Sequence, residues 1–154
     1  MIKRIMLLGT AGNFGSKITL SLARANFPLI IVGRNIQRLQ LLQHNIEQQH
    51  SNCTIQIAVF DINKDITENL SKFKPFLVIN ASGSFQPNDY KVAIASANLG
   101  INYIDLADNR KFVCGFSYVL DNLARQNGCV AISGASTLPC LSSAVLHITK
   151  TNLI

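Results

Sequence analysis

The sequence predicts an α/β fold in which about six parallel strands form a doubly wound sheet with helices on both faces. Short runs rich in Ile, Val and Leu alternate with amphipathic segments along all 154 residues. Several of these runs are apolar almost throughout, as strands covered on both faces are. Parallel neighbours need right-handed crossovers, and the intervening helical segments supply them. We therefore expect the strand order 3-2-1-4-5-6.

Six short apolar runs are the predicted strands, at 2–8, 29–32, 54–60, 76–79, 101–104 and 130–132. Between them, apolar side chains recur every three or four residues, as in helices packed on a sheet: Phe14, Ile18 and Leu22; Leu39, Leu42 and Ile46; Tyr90, Ala93, Ile94 and Ala97; Phe116, Val119, Leu120 and Leu123. Asn35 is expected to cap the second helix, and Gly100 and Gly128 to end later helices in the left-handed conformation. The segment 61–74 has a weaker helical pattern.

Composition excludes several classes of protein. Apolar residues make up 48% of the chain and charged residues 14%, which excludes disorder, coiled coils and collagen-like repeats. No apolar run approaches the roughly 18 residues of a membrane span, and the N-terminus does not resemble a signal peptide. The four cysteines have no metal-ligand spacing, so we expect reduced thiols, a cytoplasmic protein, no metal and no membrane partner.

The net charge of +6 lies in the first third of the chain. Residues 1–46 contain no Asp or Glu and six basic residues, namely Lys3, Arg4, Lys17, Arg24, Arg34 and Arg38. One explanation is a basic surface; the other is a small phosphorylated ligand bound near that end. No basic run or basic–aromatic alternation occurs, so we expect no nucleic-acid partner.

A glycine-rich segment joins the first predicted strand to the first predicted helix. This glycine loop consists of Gly9, Thr10, Ala11, Gly12, Asn13, Phe14 and Gly15. Gly9 allows a tight turn, Gly12 lets a pyrophosphate approach the backbone, and Gly15 lets the helix pack closely on the sheet. The N–H groups of the helix start then hold the phosphates. A second strand follows about twenty residues on, the context of a Rossmann-type dinucleotide site; a glycine turn without a ligand is the alternative.

The end of the second strand bears on the choice of dinucleotide. Val32-Gly33-Arg34-Asn35 places an arginine where NAD-binding domains carry an acidic residue for the ribose 2′-hydroxyl. A guanidinium cannot accept that bond but suits a 2′-phosphate, so NADP is predicted over NAD. Arg38 is a weaker second candidate. The alternative is an arginine that is simply solvated.

Three further segments follow strands. Asp61 is expected either beside the adenine or as a cap of a helix over 62–70. The small residues after the fourth strand are expected to line the ribose and diphosphate at the switch point, and are Asn80, Ala81, Ser82 and Gly83. Asp105 and Asp108 either position a substrate or cap the turn before Phe112. Ser136 and Thr137 are expected to cap the last helix.

Other catalytic motifs are missing from the sequence. Short-chain reductases use Tyr-x-x-x-Lys, but Tyr90, Tyr103 and Tyr118 are followed four residues later by Ile, Ala and Asn. Neither a GxSxG elbow nor a P-loop occurs. The three histidines are far apart and away from acidic clusters. No catalytic residue is assigned.

Five segments together resemble a known family, and read GTAGNFGS, VGRN, NASGSFQ, YIDLADNRKFV and SGASTLPCLSSAV. In this order they resemble the N-terminal NADP-binding domain of the saccharopine dehydrogenase-like family over essentially the whole chain. The resemblance implies that Gly9, Gly12 and Gly15 contact the pyrophosphate and Arg34 the 2′-phosphate, and that residues 80–83 line the ribose. It implies an oxidoreductase whose second domain supplies substrate contacts and much of the catalytic machinery.

The length departs from that family, whose members are more than twice as long. We expect residues 1–154 to form one dinucleotide-binding domain without the second domain, a fragment or truncation inactive by itself. The alternative is a stand-alone NADP-sensing or interaction module, and a substrate domain encoded downstream separates the two. The last helical pattern has an apolar stripe through which copies are expected to associate, formed by Leu141, Ala144, Val145 and Ile148.

Overall fold

The computed structural model describes residues 3–83, 85 and 89–136. They contain one six-stranded sheet, all of whose pairings are parallel, in the order β3-β2-β1-β4-β5-β6. The predicted fold class and strand order are confirmed. The strands are β1 Ile5–Leu8, β2 Leu29–Gly33, β3 Ile55–Val59, β4 Leu77–Asn80, β5 Asn102–Asp105 and β6 Ala131–Ile132. The helices are α1 Asn13–Arg24, α2 Ile36–Gln49, α3 Ile66–Phe73, α4 Lys91–Asn98 and α5 Arg110–Gln126.

The sheet separates two apolar cores, which explains why its central strands are apolar throughout. On one face, Leu7 packs with Ala23 of α1 and Leu39 of α2. On the other, Met6 belongs to a larger core that includes residues of α3, α4 and α5, such as Phe112. All four residues of β1 are buried, because neighbouring side chains point to opposite faces and both faces are covered.

The carboxyl ends of the central strands lie level with one another. Leu8, the last residue of β1, pairs with Val32 on one side and with Asn80 on the other. The chain crosses over one face of the sheet between β1 and β3 and over the other face from β3 onward, since β4 returns to the free side of β1. Such a reversal of strand order leaves a crevice at the carboxyl edge, where doubly wound folds bind ligands.

The predicted buried face of α1 is only partly right, because Ile18 and Leu22 pack partly buried against the core whereas Phe14 does not. Phe14 is 61% exposed, whereas the small residues Gly15, Thr19 and Ala23 are buried. At the closest contact with the sheet the buried residues of α1 are small, and the larger Ile18 and Leu22 pack beside them. Apolar spacing alone does not predict which small residues make that contact.

Several helix ends match the sequence predictions. The side-chain oxygen of Asn35 accepts a hydrogen bond from the backbone N–H of Arg38 at 3.0 Å, which confirms the predicted cap of α2. Gly100 and Gly128 have φ values of 66° and 63°, in the left-handed region expected of them.

The aspartates do not cap the helices that follow them, although Asp61 and Asp105 each accept a hydrogen bond from a backbone N–H in the following turn. Helix α3 begins at Ile66, and Asp61 instead accepts from the backbone N–H of Asn63, in the turn ahead of that helix. The cap of α5 is Asn109, which accepts from the N–H of Phe112, rather than Asp105 or Asp108.

Two sequence predictions concern membrane-spanning segments and the last helix. None of the described helices is both long and apolar enough to cross a membrane. The predicted last helix, with its stripe of Leu141, Ala144, Val145 and Ile148, and the predicted capping residue Thr137 lie outside the described residues.

Candidate functional site

The glycine loop turns sharply at Gly9, where β1 ends. Gly9 has φ +79°, and its carbonyl oxygen accepts a hydrogen bond from the N–H of Gly12 at 3.0 Å. A Cβ on Gly9 would lie 2.6 Å from the carbonyl oxygen of Ala81, in the loop after β4. Both the conformation and the contact therefore require glycine at this position. The glycine loop and the loop after β4 pack directly against each other at the switch point.

Gly12 and Gly15 differ in what surrounds them. A Cβ on Gly15 would overlap the carbonyl oxygen of Gly9, so the helix start is pressed against the turn. A Cβ on Gly12 would meet only the carbonyl oxygen of Gly9, at 3.3 Å, and the residue has ordinary extended backbone angles. The protein interior therefore requires glycine at position 15. At position 12 the missing side chain leaves space on the open side of the loop, as a cradle for a phosphate group needs.

The amino-terminal end of α1 is suited to an anion. No side chain caps it, and its first turn holds no acidic residue. The N–H of Ser16 bonds to the carbonyl of Gly12, whereas the N–H groups of Asn13, Phe14 and Gly15 have no acceptor within the helix. Free N–H groups and the positive end of a helix dipole together attract phosphate. Ala11, Gly12, Asn13 and Phe14 are exposed, so the N–H side of the loop is open.

Thr10 connects the glycine loop to the end of β2. Its side chain is fully buried, and its hydroxyl donates a hydrogen bond to the carbonyl oxygen of Val32 at 2.9 Å. The hydroxyl is therefore committed to the fold, and only the backbone of Thr10 is left for a ligand. This bond fixes the position of the loop relative to the residues that follow β2.

Arg34 is exposed immediately beyond the last residue of β2. Gly33 pairs with Val59 of β3, so Arg34 and Asp61 follow neighbouring strands at the same edge of the sheet. Arg38 is also exposed, in the first turn of α2. Within the part of the chain that the structure describes, neither arginine forms an ion pair. The Asn35 carboxamide oxygen is occupied by its capping bond.

The loop after β4 is held by the buried side chain of Asn80. Its carbonyl oxygen accepts from the N–H of Ser82 at 3.2 Å and from the Ser82 hydroxyl at 2.5 Å. Its amide donates to the hydroxyl of Tyr103 at 3.2 Å. Asn80 thus shapes the loop from beneath, while Ser82 and Gly83 are exposed on it. A Cβ on Gly83, which has φ +103°, would meet nothing within 4 Å.

A buried carboxylate at the end of β5 is more firmly held than the sequence suggests. Oδ1 of Asp105 accepts from the hydroxyl of Ser133 and the N–H of Gly134, both at 2.9 Å, and from the N–H of Ala107 at 3.0 Å. Oδ2 is buried without a hydrogen-bond partner among the described residues. An acidic residue at the carboxyl end of a strand is the sequence signal that points to such a role.

Tyr103 lies on the same face of β5 as Asp105, two residues earlier, and its side chain is buried. Burial first, and then the negative charge of Asp105, raises the pKa of the Tyr103 hydroxyl well above its ordinary value. The hydroxyl therefore stays protonated, and its ring stacks on Phe116 with the centroids 6.0 Å apart.

The predicted cofactor-binding residues all lie at strand ends, on loops or in first turns of helices, at the carboxyl edge of the sheet. They occupy the glycine loop, the two residues after β2, the residue following Phe60, and the end of β4 with its loop. The buried side chains of Thr10 and Asn80 act within the fold, whereas Arg34 and the backbone of 11–14 face outward. No cluster of metal-ligating side chains occurs among the residues described.

Comparison with known proteins identifies the fold but no family. No family model matches the chain, and no curated protein matches it. Among solved structures, a β-ketoacyl-[ACP] reductase from Bacteroides thetaiotaomicron superposes with a TM-score of 0.66 at 13% identity, covering 86% of this chain and 75% of that one. A short-chain dehydrogenase from Sphingobium yanoikuyae in complex with NADPH has a TM-score of 0.65 at 15% identity, over 85% and 70% of the two chains.

A metagenomic short-chain oxidoreductase in complex with NADP also matches, with a TM-score of 0.61 at 12% identity, covering 85% of this chain and 80% of that one. Identities this low establish the shared Rossmann-type fold alone. No comparison supports the saccharopine dehydrogenase-like family specifically, and that assignment stays a prediction.

Proposed function

We propose that this chain is the NADP(H)-binding domain of an oxidoreductase. The observation that carries the proposal is the cradle at the switch point. There the uncapped start of α1 presents free N–H groups beside Gly12, where an added Cβ would meet only the carbonyl oxygen of Gly9. Such a site fits a dinucleotide pyrophosphate, because diphosphate is held by helix N–H groups rather than by bulky side chains.

Each part of the dinucleotide has residues suited to it. The N–H groups of 13–15 would hold the diphosphate, and the loop of Ala81, Ser82 and Gly83 would line the ribose, with Asn80 shaping that loop through Ser82. Asp61 would lie beside the adenine, at the end of β3. The nicotinamide supplies the hydride when the cofactor is bound. The chain's own contribution is to bind and orient it.

Arg34 supports NADP over NAD. Arg34 is exposed at the strand end where doubly wound folds place the adenosine ribose. A guanidinium cannot accept a hydrogen bond from the ribose 2′-hydroxyl, but it donates two parallel hydrogen bonds to a phosphate. Two structural neighbours, the Sphingobium yanoikuyae dehydrogenase and the metagenomic oxidoreductase, were solved with NADPH and NADP.

The finer assignment we propose is to the saccharopine dehydrogenase-like family rather than to the short-chain reductases. The five segments quoted above support it, and so does the lack of a Tyr-x-x-x-Lys motif in the sequence. The expected reaction forms or reduces a C=N or similar bond of a small substrate, with the catalytic groups supplied outside this domain.

The missing Tyr-x-x-x-Lys motif also favours a second candidate, a module that binds NADP without catalysis. The two candidates share the same cofactor site. They differ in whether a substrate domain accompanies it, which the coding sequence after residue 154 decides.

Calorimetric titration of the 154-residue chain with NADPH and with NADH tests the proposal. We expect both to bind, with NADPH about tenfold or more tighter, since a charged hydrogen bond to phosphate contributes about 1.5–3 kcal/mol. No binding of either dinucleotide would overturn the proposed function. Equal binding of the two would overturn the role of Arg34 while leaving a dinucleotide site.

A further inference from the structure

Asp105 is a buried carboxylate whose charge no cation offsets in the described structure. Its side chain is fully buried and three donors converge on Oδ1, while Oδ2 has no partner within hydrogen-bond distance in the described part of the chain and the uncharged Tyr103 hydroxyl lies near the carboxylate. The ion pairs found among the described residues join Lys91 to Asp89 and Arg125 to Asp121, and neither involves Asp105. A buried charge without a counter-ion is costly to keep, and an unsatisfied buried oxygen calls for an explanation.

Its position in the sheet suggests what this charge acts on. Doubly wound folds consist of two halves, each binding one mononucleotide of a dinucleotide. Leu8 of β1 pairs with Val32 of β2 in the first half, and Asn80 of β4 pairs with Asp105 of β5 in the second. Asp105 in the second half is therefore equivalent to Val32 in the first half. Val32 lies two residues before Arg34. With the adenosine end of the proposed dinucleotide at Arg34, Asp105 would lie beneath the nicotinamide end.

The groups around Asp105 leave its electrostatic field largely unscreened toward a ligand. The hydrogen-bond donors to its Oδ1 are uncharged groups of Ala107, Ser133 and Gly134, in the loops after β5 and β6. The charged side chains of the adjoining loop and helix start, Asp108, Arg110 and Lys111, are exposed and solvated. Water screens those exposed charges, whereas a charge in the protein interior interacts over longer distances.

We propose, resting on the NADP(H) function above, that the buried charge of Asp105 tunes the site toward the oxidised cofactor. The nicotinamide ring of NADP⁺ carries a positive charge that the ring of NADPH lacks. A carboxylate beneath the ring attracts the first and not the second. Asp105 is thus a positioning residue for the loops after β5 and β6 and, through its charge, a determinant of the ratio of NADP⁺ to NADPH affinity.

The test compares the dissociation constants of NADP⁺ and NADPH for the full chain and for Asp105→Asn. The asparagine keeps an oxygen for the three donors and removes the charge. We expect the ratio of the NADP⁺ constant to the NADPH constant to rise about fivefold. Asp108→Asn is the matched control, because it removes an exposed carboxylate three residues away, and its ratio should change by less than about twofold.

A second variant makes the test independent of how well Asp105→Asn folds. Ser133→Ala removes one donor from Oδ1 but leaves the carboxylate, whose charge is then less neutralised. The ratio should fall by about twofold, opposite in sign to the first variant. If the parent chain binds both cofactors but the ratio of dissociation constants is unchanged in the folded variants, the role of Asp105 is overturned and the proposed function is not. A parent chain that binds neither cofactor would overturn the proposed function with it.

Discussion

The carbonyl oxygen of Gly9 occupies the position that a Cβ on Gly15 would take. This contact presses the start of α1 against the turn that ends β1. The same turn packs on the loop after β4 through Gly9 and Ala81. Three chain segments thus meet at the switch point, and these backbone contacts help to fix the direction of the free N–H groups of α1.

Replacing Gly15 with alanine should destabilise the fold. The added methyl overlaps backbone, which cannot rotate away as a side chain can, so we expect a loss of about 1–3 kcal/mol in the free energy of unfolding. Urea denaturation measures it. Gly33→Ala is the control, because its Cβ would meet only the flexible side chain of Leu39 at 3.3 Å. Equal stability of the two variants would show that α1 is not held closely against the turn.

Replacing Gly12 with valine should separate binding from folding. The backbone at Gly12 has φ −83° and ψ 165°, angles that valine adopts readily, and its Cβ would meet only one protein atom. The melting temperature should therefore stay within a few degrees of the parent's, while binding of both NADPH and NADH is lost because the side chain fills the phosphate cradle. Dinucleotide binding retained by a folded Gly12→Val protein would exclude the glycine loop as the site.

Replacing Arg34 with aspartate should change the preference between dinucleotides. NADPH binding should weaken about ten- to hundredfold, and NADH binding far less, because the substitution removes a donor to the 2′-phosphate and adds a carboxylate that repels it. Calorimetry with each dinucleotide measures this. Arg24→Asp makes the same charge change at the last turn of α1. If both variants weaken NADPH equally, only the general charge of the domain matters.

Much of the fold follows from the sequence because the apolar runs and their punctuation agree. The six strands lie within one residue of most predicted ends, and Asn35, Gly100 and Gly128 end or begin helices as their chemistry requires. The predicted face of α1 follows only in part, because Ile18 and Leu22 pack against the core but Phe14 is exposed, and the closest contact with the sheet is made by small residues. A helix approaches a sheet closely through small residues, and apolar periodicity in the sequence does not detect them.

The candidate site was predictable where backbone geometry decides it and less so where buried polar groups do. The roles of Gly9 and Gly15 follow from a strand-to-helix turn, and the structure places backbone where their side chains would be. The hydrogen bonds of Thr10 to Val32, of Asn80 to Tyr103 and of Asp105 to Gly134 join residues that are 22 to 29 positions apart. Such partners are brought together only by the register of the strands, which a local pattern does not contain.

The buried hydroxyl of Tyr103 should make stability depend on pH in alkaline solution. Its pKa in the folded protein is raised, so in the unfolded chain it ionises first as the pH passes about 10. Stability from this group is complete below that pH and declines above it, by up to about 1.4 kcal/mol per pH unit. Tyr103→Phe should be less stable than the parent at pH 8, and the difference should shrink toward pH 11.

Denaturation of both proteins across this range measures the effect. Tyr118→Phe is the control, because the Tyr118 side chain is 91% exposed and water solvates its hydroxyl in both states. A difference between the parent and Tyr103→Phe that stays constant with pH would contradict the buried, protonated tyrosine.

The central claim is that the start of α1 holds a diphosphate while Arg34 meets a 2′-phosphate, and a crystal structure of the chain with NADPH tests it most directly. We predict diphosphate oxygens within hydrogen-bond distance of the N–H groups of 13–15, and the Arg34 guanidinium on the 2′-phosphate. A dinucleotide bound away from the carboxyl edge of β1 and β4, or a glycine loop closed by its own side chains, would contradict it.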